Sequence, residues 1–517
     1  MNTQTPHTRT LWPAIAEPRR TILLLSAASL LLSLLYCPPV DLFYDDTEIF
    51  RYFGRLIVAG GVPYRDVFDH KPPLIFFFCT AGPWGLWLLN TALVLTATLL
   101  FLRLCRRCSL PWPWLPPLFF NLLIRNYMIC IGITMTRAYT AIFLLLFFCL
   151  MLDDNRRYRH YWLGLLAAAT FFMQQDGLIV LLPLLLYAFL PAPNRAPTTL
   201  IRTAWFPALA GAATITLPLL GYFAAHHALT QLWQDAFVFN FRWYMSKPTP
   251  GEHFRVVKQA LQDTDLQMPF ILATVLGACA LLYKHKKKRL LVAALATLIL
   301  SFAAEGLSGM LEYGHAFWYY FLPLSVSLPI LVFVVWAYTE ESWLREKKSQ
   351  LLYGFLLCCM PLYDAGQHAT HLANNHSGWV TDLPEYRYLR QHRPTDRQLY
   401  AFGDNNWVRA YNEFGIFSPC HWIYHHFWGW YPGWDPGHKQ LSRIETDLLH
   451  YHTKYLIYNP AINYFKDASA RTEWESFLAK YYRLQLLSGS TPSHLWISLT
   501  DSSPAQPAPQ TPDLPAK

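Results

Sequence analysis

The sequence predicts a polytopic α-helical membrane protein with a small α/β domain near its C-terminal end. Of its 517 residues, 53% are hydrophobic and only 15% are charged, a composition too apolar for an ordinary soluble protein of this length. Long apolar runs recur through the first 363 residues, and Arg and Lys collect on alternate loops between them. The later part of the chain loses these runs and gains short alternating segments that are typical of strands.

The apolar runs predict about eleven membrane-spanning helices, because each is near the ~20 residues that cross a bilayer with every backbone polar group satisfied. The stretch 161–190 is interpreted as two short helices joined outside the membrane. Gln174, Gln175 and Asp176 interrupt it, and we favour a structural role for them as caps of the two helices over a role in lining a carrier path. The runs lie at 21–36, 85–105, 115–131, 139–152, 161–172, 177–190, 205–225, 268–283, 290–304, 317–338 and 351–363.

The basic residues fix the predicted orientation. Clusters such as "KHKKKR" at 284–289 all fall on one face of the predicted bundle, which the positive-inside rule makes cytoplasmic. The net charge of +9 therefore reflects topology, and no basic stripe with interleaved aromatics indicates a nucleic-acid partner. The predicted order is a cytoplasmic leader 1–20, a transmembrane domain 21–363 with a first outer loop 37–72, an extracytoplasmic α/β domain 364–500 and a disordered tail 501–517.

Cysteines and histidines do not form a recognised framework in the sequence. The ten cysteines are scattered, and their spacing predicts neither disulfides nor a zinc site. The segment "PCHWIYHHFWGWYPGWDPGH" at 419–438 is rich in aromatics, which either stack on sugars or pack at the membrane interface; we favour packing. Its histidines do not complete a metal-ligand pattern; they are His421, His425, His426 and His438.

The first outer loop begins with an amphipathic helix. From Thr47 to Ala59, the residues Ile49, Phe50 and Phe53 recur at helical spacing and charged residues take other positions, which predicts a helix lying at the membrane interface. Asp45 and Asp46 stand at its start, where carboxylates cap free N–H groups. Two adjacent acids exceed what a cap requires. Gly60 and Gly61 are expected to end this helix.

A charged cluster follows in "GGVPYRDVFDHKPPL", residues 60–74. A lysine at the headgroup level often only reaches toward lipid phosphate, and Asp66 is expected only to pair with a neighbouring base. The cluster as a unit nevertheless indicates a functional site between two apolar segments. Its charged members are Arg65, Asp66, Asp69, His70 and Lys71.

The acidic pair after the first span, the juxtamembrane helix and the "PYRDVFDHKPPL" string together resemble the bacterial protein O-mannosyltransferase-like family. This family has the glycosyltransferase-C fold and includes protein mannosyltransferases and the lipid A aminoarabinose transferase. Weaker resemblance runs through "GYFAAHHALTQLWQDAFVFNFRWY" and "GHAFWYYFLPL". The resemblance implies an enzyme of the bacterial inner membrane that transfers a hexose or pentose from a polyprenyl-phosphate carrier, undecaprenyl phosphate, to an extracytoplasmic acceptor.

The resemblance also implies roles for particular residues. Asp46 would be the general base toward the acceptor hydroxyl, with Asp45 as the alternative. Lys71 would stabilise the carrier phosphate, and Arg65, His70 and His315 are further candidates for that role. Asp69 and Glu305 are candidates for orienting Lys71 or holding the acceptor. The residues leave open whether a divalent cation bridges the acids and the phosphate, and no nucleotide-binding motif is present.

Two further features carry alternatives. Arg125 and Arg137 flank "NYMICIGITMT" against the positive-inside trend, so they either face a lipid phosphate or point outward to solvent. The functional alternatives are a lipid-linked glycan transporter and a non-catalytic envelope assembly protein. A transporter predicts inverted repeats, which the sequence does not show, and the charged first loop favours the enzyme. The sugar, the acceptor class (glycan, lipid or protein) and the oligomeric state stay open.

Overall fold

A computed structural model describes most of the chain as two compact units. The first unit comprises Met1–Arg65 and Asp69–His376, and the second comprises Asp66–Phe68 and Ser377–Lys517. The described residues are 19–38, 45–110, 112–125, 135–153, 158–190, 201–244, 289–311, 323–338, 380–403, 405–424, 433–462, 464–487 and 494–499, with isolated residues between 355 and 370.

The first unit is built from α-helices, in the order that the apolar runs predict. Short π-helical turns precede and follow α9, at Ile201–Trp205, Gln234–Val238 and Asn240–Tyr244. The helices are α1 Arg19–Leu34, α2 Asp45–Val58, α3 Leu74–Cys79, α4 Gly82–Arg107, α5 Leu115–Ile124, α6 Thr136–Met151, α7 Arg159–Met173, α8 Gly177–Phe189, α9 Phe206–Ala225, α10 Leu229–Trp233, α11 Arg289–Leu311 and α12 Leu324–Tyr338.

Several of these helices are suited to a membrane. Among the described residues, Gly82–Arg107 and Ile201–Ala225 are long and apolar enough to cross a bilayer, and five shorter helices are also apolar. The runs predicted at 268–283 and over most of 351–363 lie outside the described residues. The number of about eleven spans therefore stays a prediction.

The stretch 161–190 forms two helices, as predicted. The helix α7 ends at Met173 and α8 begins at Gly177, so the polar residues Gln174–Asp176 form the link. The expectation that these residues cap the helices is wrong for Asp176, because its side chain makes no capping hydrogen bond to α8. Arg137 holds the Asp176 carboxylate instead, as described below.

The helix α2 packs its apolar face on α3. The rings of Phe53 and Phe76 stack with centroids 4.3 Å apart, and Phe50 also contacts Phe76. Gly54 permits this approach, since a Cβ there would lie 2.5 Å from the Cys79 carbonyl oxygen. The predicted helix and its amphipathic pattern are confirmed, whereas its placement at the membrane interface stays a prediction, because the apolar face described here lies against protein.

The helices α7 and α9 cross in direct backbone contact. A Cβ on Gly164 would overlap the Ala208 carbonyl oxygen, and a Cβ on Gly211 would overlap that of Tyr161. Small residues at such crossings let membrane helices approach closely and gain dispersion energy that lipid cannot supply. This crossing fixes the helices that lead into two parts of the site.

The second unit contains a four-stranded sheet with helices. Strand order is β1-β2-β4-β3; β1 and β2 are parallel, and β4 pairs antiparallel with both β2 and β3. The segments "RQLYAFG" and "KYLIYNP" supply β1 and β2, as their alternation predicts. The elements are α13 Pro384–His392, β1 Leu399–Ala401, α14 Val408–Phe414, α15 Lys439–His450, β2 Tyr455–Ile457, α16 Ala468–Tyr481, β3 Tyr482–Leu484 and β4 Leu495–Ser498.

Aromatic side chains form the core of the second unit. Trp474 is fully buried and stacks on Phe402 with ring centroids 4.5 Å apart. Phe68, from the short segment that belongs to this unit, donates its N–H to the His421 carbonyl over 2.9 Å and packs on Trp422. His425 and His426 lie outside the described residues.

His438 links the starts of α15 and α16. Its Nδ1 lies 2.6 Å from Glu473 Oε2 and its Nε2 lies 3.0 Å from Asp467 Oδ2, and these partners raise the pKa of the imidazole. Asp467 is also the N-cap of α16, since it accepts from the Ser469 N–H. The two carboxylates make His438 a structural bridge between helices.

Candidate active site

The loop between α2 and α3 holds Lys71 through its backbone. The Tyr64 hydroxyl donates to the Lys71 carbonyl oxygen over 2.6 Å, and the Lys71 N–H donates to Asp69 Oδ1 over 2.7 Å. The Tyr64 ring is fully buried between Phe76 and Phe223. Both backbone polar groups of Lys71 are therefore fixed, and the lysine side chain starts from a defined position.

Tyr64 adopts an unusual backbone conformation to reach this position. Its φ is +66°, in the left-handed region that a bulky residue rarely occupies. Residues in such conformations persist where surrounding contacts over-determine them, and they are enriched at functional sites. The buried ring and the hydroxyl contact with Lys71 supply that constraint here.

Asn240 joins the loop to two other segments of the first unit. Its Nδ2 donates to the His70 carbonyl over 2.7 Å and to Gln175 Oε1 over 3.3 Å. The Gln175 Nε2 donates to the Ala236 carbonyl, which also accepts from Asn240. The first loop, the α7–α8 link and the π-helical segment 234–244 thus meet at one amide. Short π-helical segments are themselves frequent at functional sites.

Arg137 stabilises the α7–α8 link from α6. Its Nη2 lies 3.1 Å from Asp176 Oδ2, and only 5% of the arginine side chain is exposed. The adjacent Thr136 donates to Gln174 Oε1 over 2.6 Å. A buried ion pair of this kind costs several kcal/mol, of order 3–5, to break at one partner. The link is therefore held by α6 and by Asn240 together.

Arg125 occupies a different environment from Arg137. The Tyr36 hydroxyl donates to the Arg125 carbonyl over 2.9 Å, and the guanidinium lies 5.4 Å from the centre of the Tyr36 ring. Both arginines are buried, so the alternative in which they point outward to solvent is wrong. A role of either arginine toward a lipid phosphate stays a prediction.

Burial changes the protonation of groups near Lys71. Burial, with a smaller contribution from the Lys71 charge, lowers the pKa of His70 well below its usual value. The imidazole is therefore neutral at pH 7, and a phosphate contact from it would be a hydrogen bond between a neutral donor and an anion. Its ring lies beside Phe239.

Asp235 is a site residue that sequence reasoning missed. It lies in the π-helical turn Gln234–Val238, where burial and then the negative charge of Asp69 raise its pKa to about 8. The same two acids, with burial as the larger cause, raise the pKa of Tyr64. A lone acid in "TQLWQDAFVFN" was the available signal. Perturbed acids near a basic loop are characteristic of functional sites.

The remaining predicted site residues have different positions. Asp46 lies in the first turn of α2 with a half-buried side chain, whereas nothing is described of the Asp45 side chain. Arg65 Nη1 reaches the His226 carbonyl at the end of α9, 3.5 Å away. Asp66 belongs to the second unit. Glu305 lies in α11, its side chain outside the described residues, as is the whole of His315.

Metal binding has no preformed site in the part of the chain that the structure describes. No group of three or more His, Cys, Asp or Glu side chains there has an arrangement that could hold a metal ion. Asp69 and Asp235 interact electrostatically, and this interaction contributes to the raised pKa of Asp235. Whether a cation bridges the loop and a phosphate stays open.

The first unit is a bundle of apolar helices in which the amphipathic helix α2 packs on α3. The chain is similar to the crystal structure of ArnT from Cupriavidus metallidurans bound to undecaprenyl phosphate, with a TM-score of 0.55 over 94% of this chain and 100% of that one. Sequence identity is 10%, so the likeness shows the fold. No protein-family model matches the chain, and no curated protein matches it in sequence.

Proposed function

We propose that this protein is an integral-membrane glycosyltransferase that moves a sugar from a polyprenyl-phosphate carrier to an acceptor hydroxyl on the extracytoplasmic side. The observation that carries the proposal is the fixed backbone of Lys71, held by Tyr64 and Asp69, in a loop that Asn240 also anchors. The similarity in fold to ArnT bound to undecaprenyl phosphate supports a lipid-phosphate donor.

Lys71 would stabilise the carrier phosphate as it leaves. A phosphate leaving group gains negative charge when the bond to the anomeric carbon breaks, and a cation fixed beforehand lowers that barrier. Arg65 would add a second, permanently charged donor. Asp235 supports this role by staying protonated at pH 7, because a neutral carboxyl does not repel the phosphate.

Asp46 would remove the proton from the attacking hydroxyl. A positioned carboxylate contributes about 10²- to 10⁴-fold as a general base, and the half-buried side chain of Asp46 lies in the first turn of a helix that packs on α3 just beyond the Lys71 loop. Asp45 remains the alternative base. Asp69 orients the Lys71 backbone, which gives Asp69 a positioning role. Glu305 stays a proposal from its place near the outer end of a predicted span, and His315 stays a proposal from resemblance.

The orientation and acceptor belong to the same proposal. The distribution of Arg and Lys supports an extracytoplasmic loop and C-terminal unit in a bacterial inner membrane. The acceptor is a hydroxyl of a glycan, a lipid or a protein, and the transferred sugar is a hexose or pentose.

The test is sugar transfer from a radiolabelled polyprenyl-phosphate sugar by the purified protein in lipid, with a membrane extract as acceptor. We expect wild type to transfer, Lys71→Ala to lose transfer, and Asp46→Asn to lose it while remaining folded. Asp382→Asn is the matched control, because it makes the same chemical change at an exposed carboxylate outside the helix that carries Asp46.

Loss of transfer with Asp45→Asn alone would move the base by one residue. If wild type transfers no sugar from any of several donors and instead moves labelled lipid across the bilayer, the transferase proposal is wrong and a transporter is favoured.

A further inference from the structure

A second candidate binding site lies wholly within the second unit. A cavity of about 620 Å³ opens where α13 and α14 end, with Thr381, Tyr386, Arg390, Arg393 and Glu413 in its lining. This volume falls within the range of roughly 300–1,000 Å³ that is usual for small-ligand sites. The transfer chemistry proposed above does not use any of these residues.

The charges in this cavity are unevenly compensated. Arg409 Nε donates to Glu413 Oε1 over 2.6 Å, and the Tyr386 hydroxyl donates to the other oxygen of the same carboxylate. Within the described residues, neither Arg390 nor Arg393 has a carboxylate within 4.0 Å, and both side chains are exposed. The cavity therefore presents two guanidinium groups whose charge the cavity acid does not neutralise.

The position of Arg393 adds an independent observation. It is the C-cap of α13, with φ +45° in the left-handed region. Glycine is the residue that this position favours, because a Cβ is strained there. Arg393 therefore places a long cationic side chain on the cavity wall at a position where glycine would be less strained.

An aromatic pair forms another wall. The rings of Tyr386 and Phe414 stack with centroids 5.3 Å apart and planes inclined by 18°, and both line the cavity. The half-buried Phe414 offers an apolar surface, and the apolar faces of sugar rings pack on such surfaces. Guanidinium groups bind carboxylate and phosphate through paired hydrogen bonds.

We propose that this cavity binds a sugar unit that carries a carboxylate or phosphate group. Arg390 and Arg393 would hold the anionic group, and Phe414 would pack on the ring. Binding at this cavity does not require the transfer reaction, so its test is independent of the transferase proposal.

The experiment measures binding of defined probes to the full-length protein in lipid nanodiscs by calorimetry. The probes are tetragalacturonate, its neutral methyl ester, glucose 6-phosphate and inorganic phosphate. We expect the anionic sugars to bind about tenfold or more tightly than the neutral ester, and their affinity to fall as salt screens the charges. Comparison of the two anionic sugars with inorganic phosphate shows whether the cavity recognises a sugar carboxylate, a sugar phosphate or a free phosphate ion.

Three variants make the test specific. Arg390→Gln and Arg393→Gly are each expected to weaken binding of the anionic sugars about tenfold. Arg393→Gly relieves the strained backbone, so its thermal stability should not fall and lost binding cannot be ascribed to unfolding. Arg483→Gln, an exposed arginine on β3, carries the same charge change outside the cavity and should bind as wild type.

Three outcomes would overturn the proposal: neither anionic sugar binding more tightly than the neutral methyl ester, wild-type affinity in both cavity variants, or no saturable binding of either anionic sugar up to about 10 mM. If wild type binds the anionic sugars at the cavity but transfers no sugar, the transferase proposal alone is contradicted.

Discussion

The Lys71 loop of the first unit and the arginine-lined cavity of the second unit hold positive charge in contrasting surroundings. Around Lys71, neighbouring groups are buried and their protonation is altered: the pKa of His70 is lowered and that of Asp235 is raised to about 8. In the cavity, the side chains of Arg390 and Arg393 are exposed, and no carboxylate among the described residues lies within 4.0 Å of either guanidinium. The first environment suits proton transfer and charge development, and the second suits recognition of a permanent anion.

Removal of the Lys71 side chain should produce the largest effect, and this effect should appear in sugar transfer and not in binding at the cavity. Lys71→Ala is expected to lower the transfer rate at saturating donor about 10²- to 10³-fold, the effect of losing one preorganised charge-stabilising group. Its binding of tetragalacturonate should be unchanged. Arg390→Gln should bind tetragalacturonate more weakly and transfer sugar at the wild-type rate. An equal loss of transfer rate in Lys71→Ala and Arg390→Gln at saturating acceptor would contradict the proposal that the two regions have separate roles.

His421 predicts a pH-dependent stability in the second unit. Burial and, to a smaller extent, the nearby Arg443 charge lower the pKa of His421 from 6.5 to about 4. A backbone hydrogen bond with Asp66 acts in the opposite direction but is the weaker effect. A lowered histidine pKa stabilises the fold above pH 6.5, and that stability is lost as pH falls toward 4, by about 3 kcal/mol at most.

Thermal unfolding of the full-length protein between pH 7 and 4 measures this effect. The variant His421→Gln should flatten the acid decline, whereas His450→Gln, an exposed histidine, should retain it. A decline in His421→Gln as steep as that of wild type would show that other groups cause it.

Tyr64→Phe should have an intermediate effect on the first region. It removes the hydroxyl that donates to the Lys71 carbonyl and leaves that carbonyl without this donor, a loss of about 1–3 kcal/mol. We expect transfer to fall about tenfold. Tyr222→Phe removes a longer contact, 3.3 Å to the Gly61 carbonyl, and should have a smaller effect in the same transfer assay.

The local parts of these regions were predictable from sequence, whereas the long-range parts were not. The periodicity of Ile49, Phe50 and Phe53 predicted α2 to within two residues, and Gly60, with φ +86°, ends it as expected. The role of Asn240 depends on a hydrogen bond between residues 170 positions apart, and no local pattern encodes such a contact. The raised pKa of Asp235 likewise arises from burial, a tertiary property.

The second unit shows the same limit. The alternation in "RQLYAFG" predicted a half-buried strand; the strand β1 forms there, but all three of its residues are buried, so it lies in the interior of the unit. Arg390 and Arg393 gave no signal, since the cavity forms only when α13 and α14 pack through contacts such as that between Tyr386 and Glu413. Capping was predicted for Asp176 from its position alone, and the ion pair with Arg137 outweighs it.

Asp235 gives the most specific test, because its effect is confined to alkaline solution. Its pKa of about 8 means that the carboxyl loses its proton as pH rises through 8, and a second negative charge then acts on Asp69, which holds the Lys71 N–H. Transfer by wild type should therefore decline in alkaline solution, to about one tenth at pH 9. Asp235→Asn cannot ionise and should remove this decline.

Asp69→Asn provides the matched control for Asp235. It removes the like charge that raises the pKa of Asp235, so the alkaline decline should move to lower pH. The transfer rate of each variant is measured across the full pH range. If the alkaline decline is unchanged in both Asp235→Asn and Asp69→Asn, Asp235 does not cause it.

The bare-backbone crossing of α7 and α9 has a consequence for how this site can vary. One helix leads to the Gln174–Asp176 link, and the other leads into the segment that carries Asp235 and Asn240. Because Gly164 and Gly211 leave no side chain between the backbones, the spacing cannot be adjusted by changing a rotamer or exchanging one apolar residue for another. The two helices are therefore in rigid contact at this crossing. A methyl group added there would move both helices and, with them, the polar groups several helical turns away.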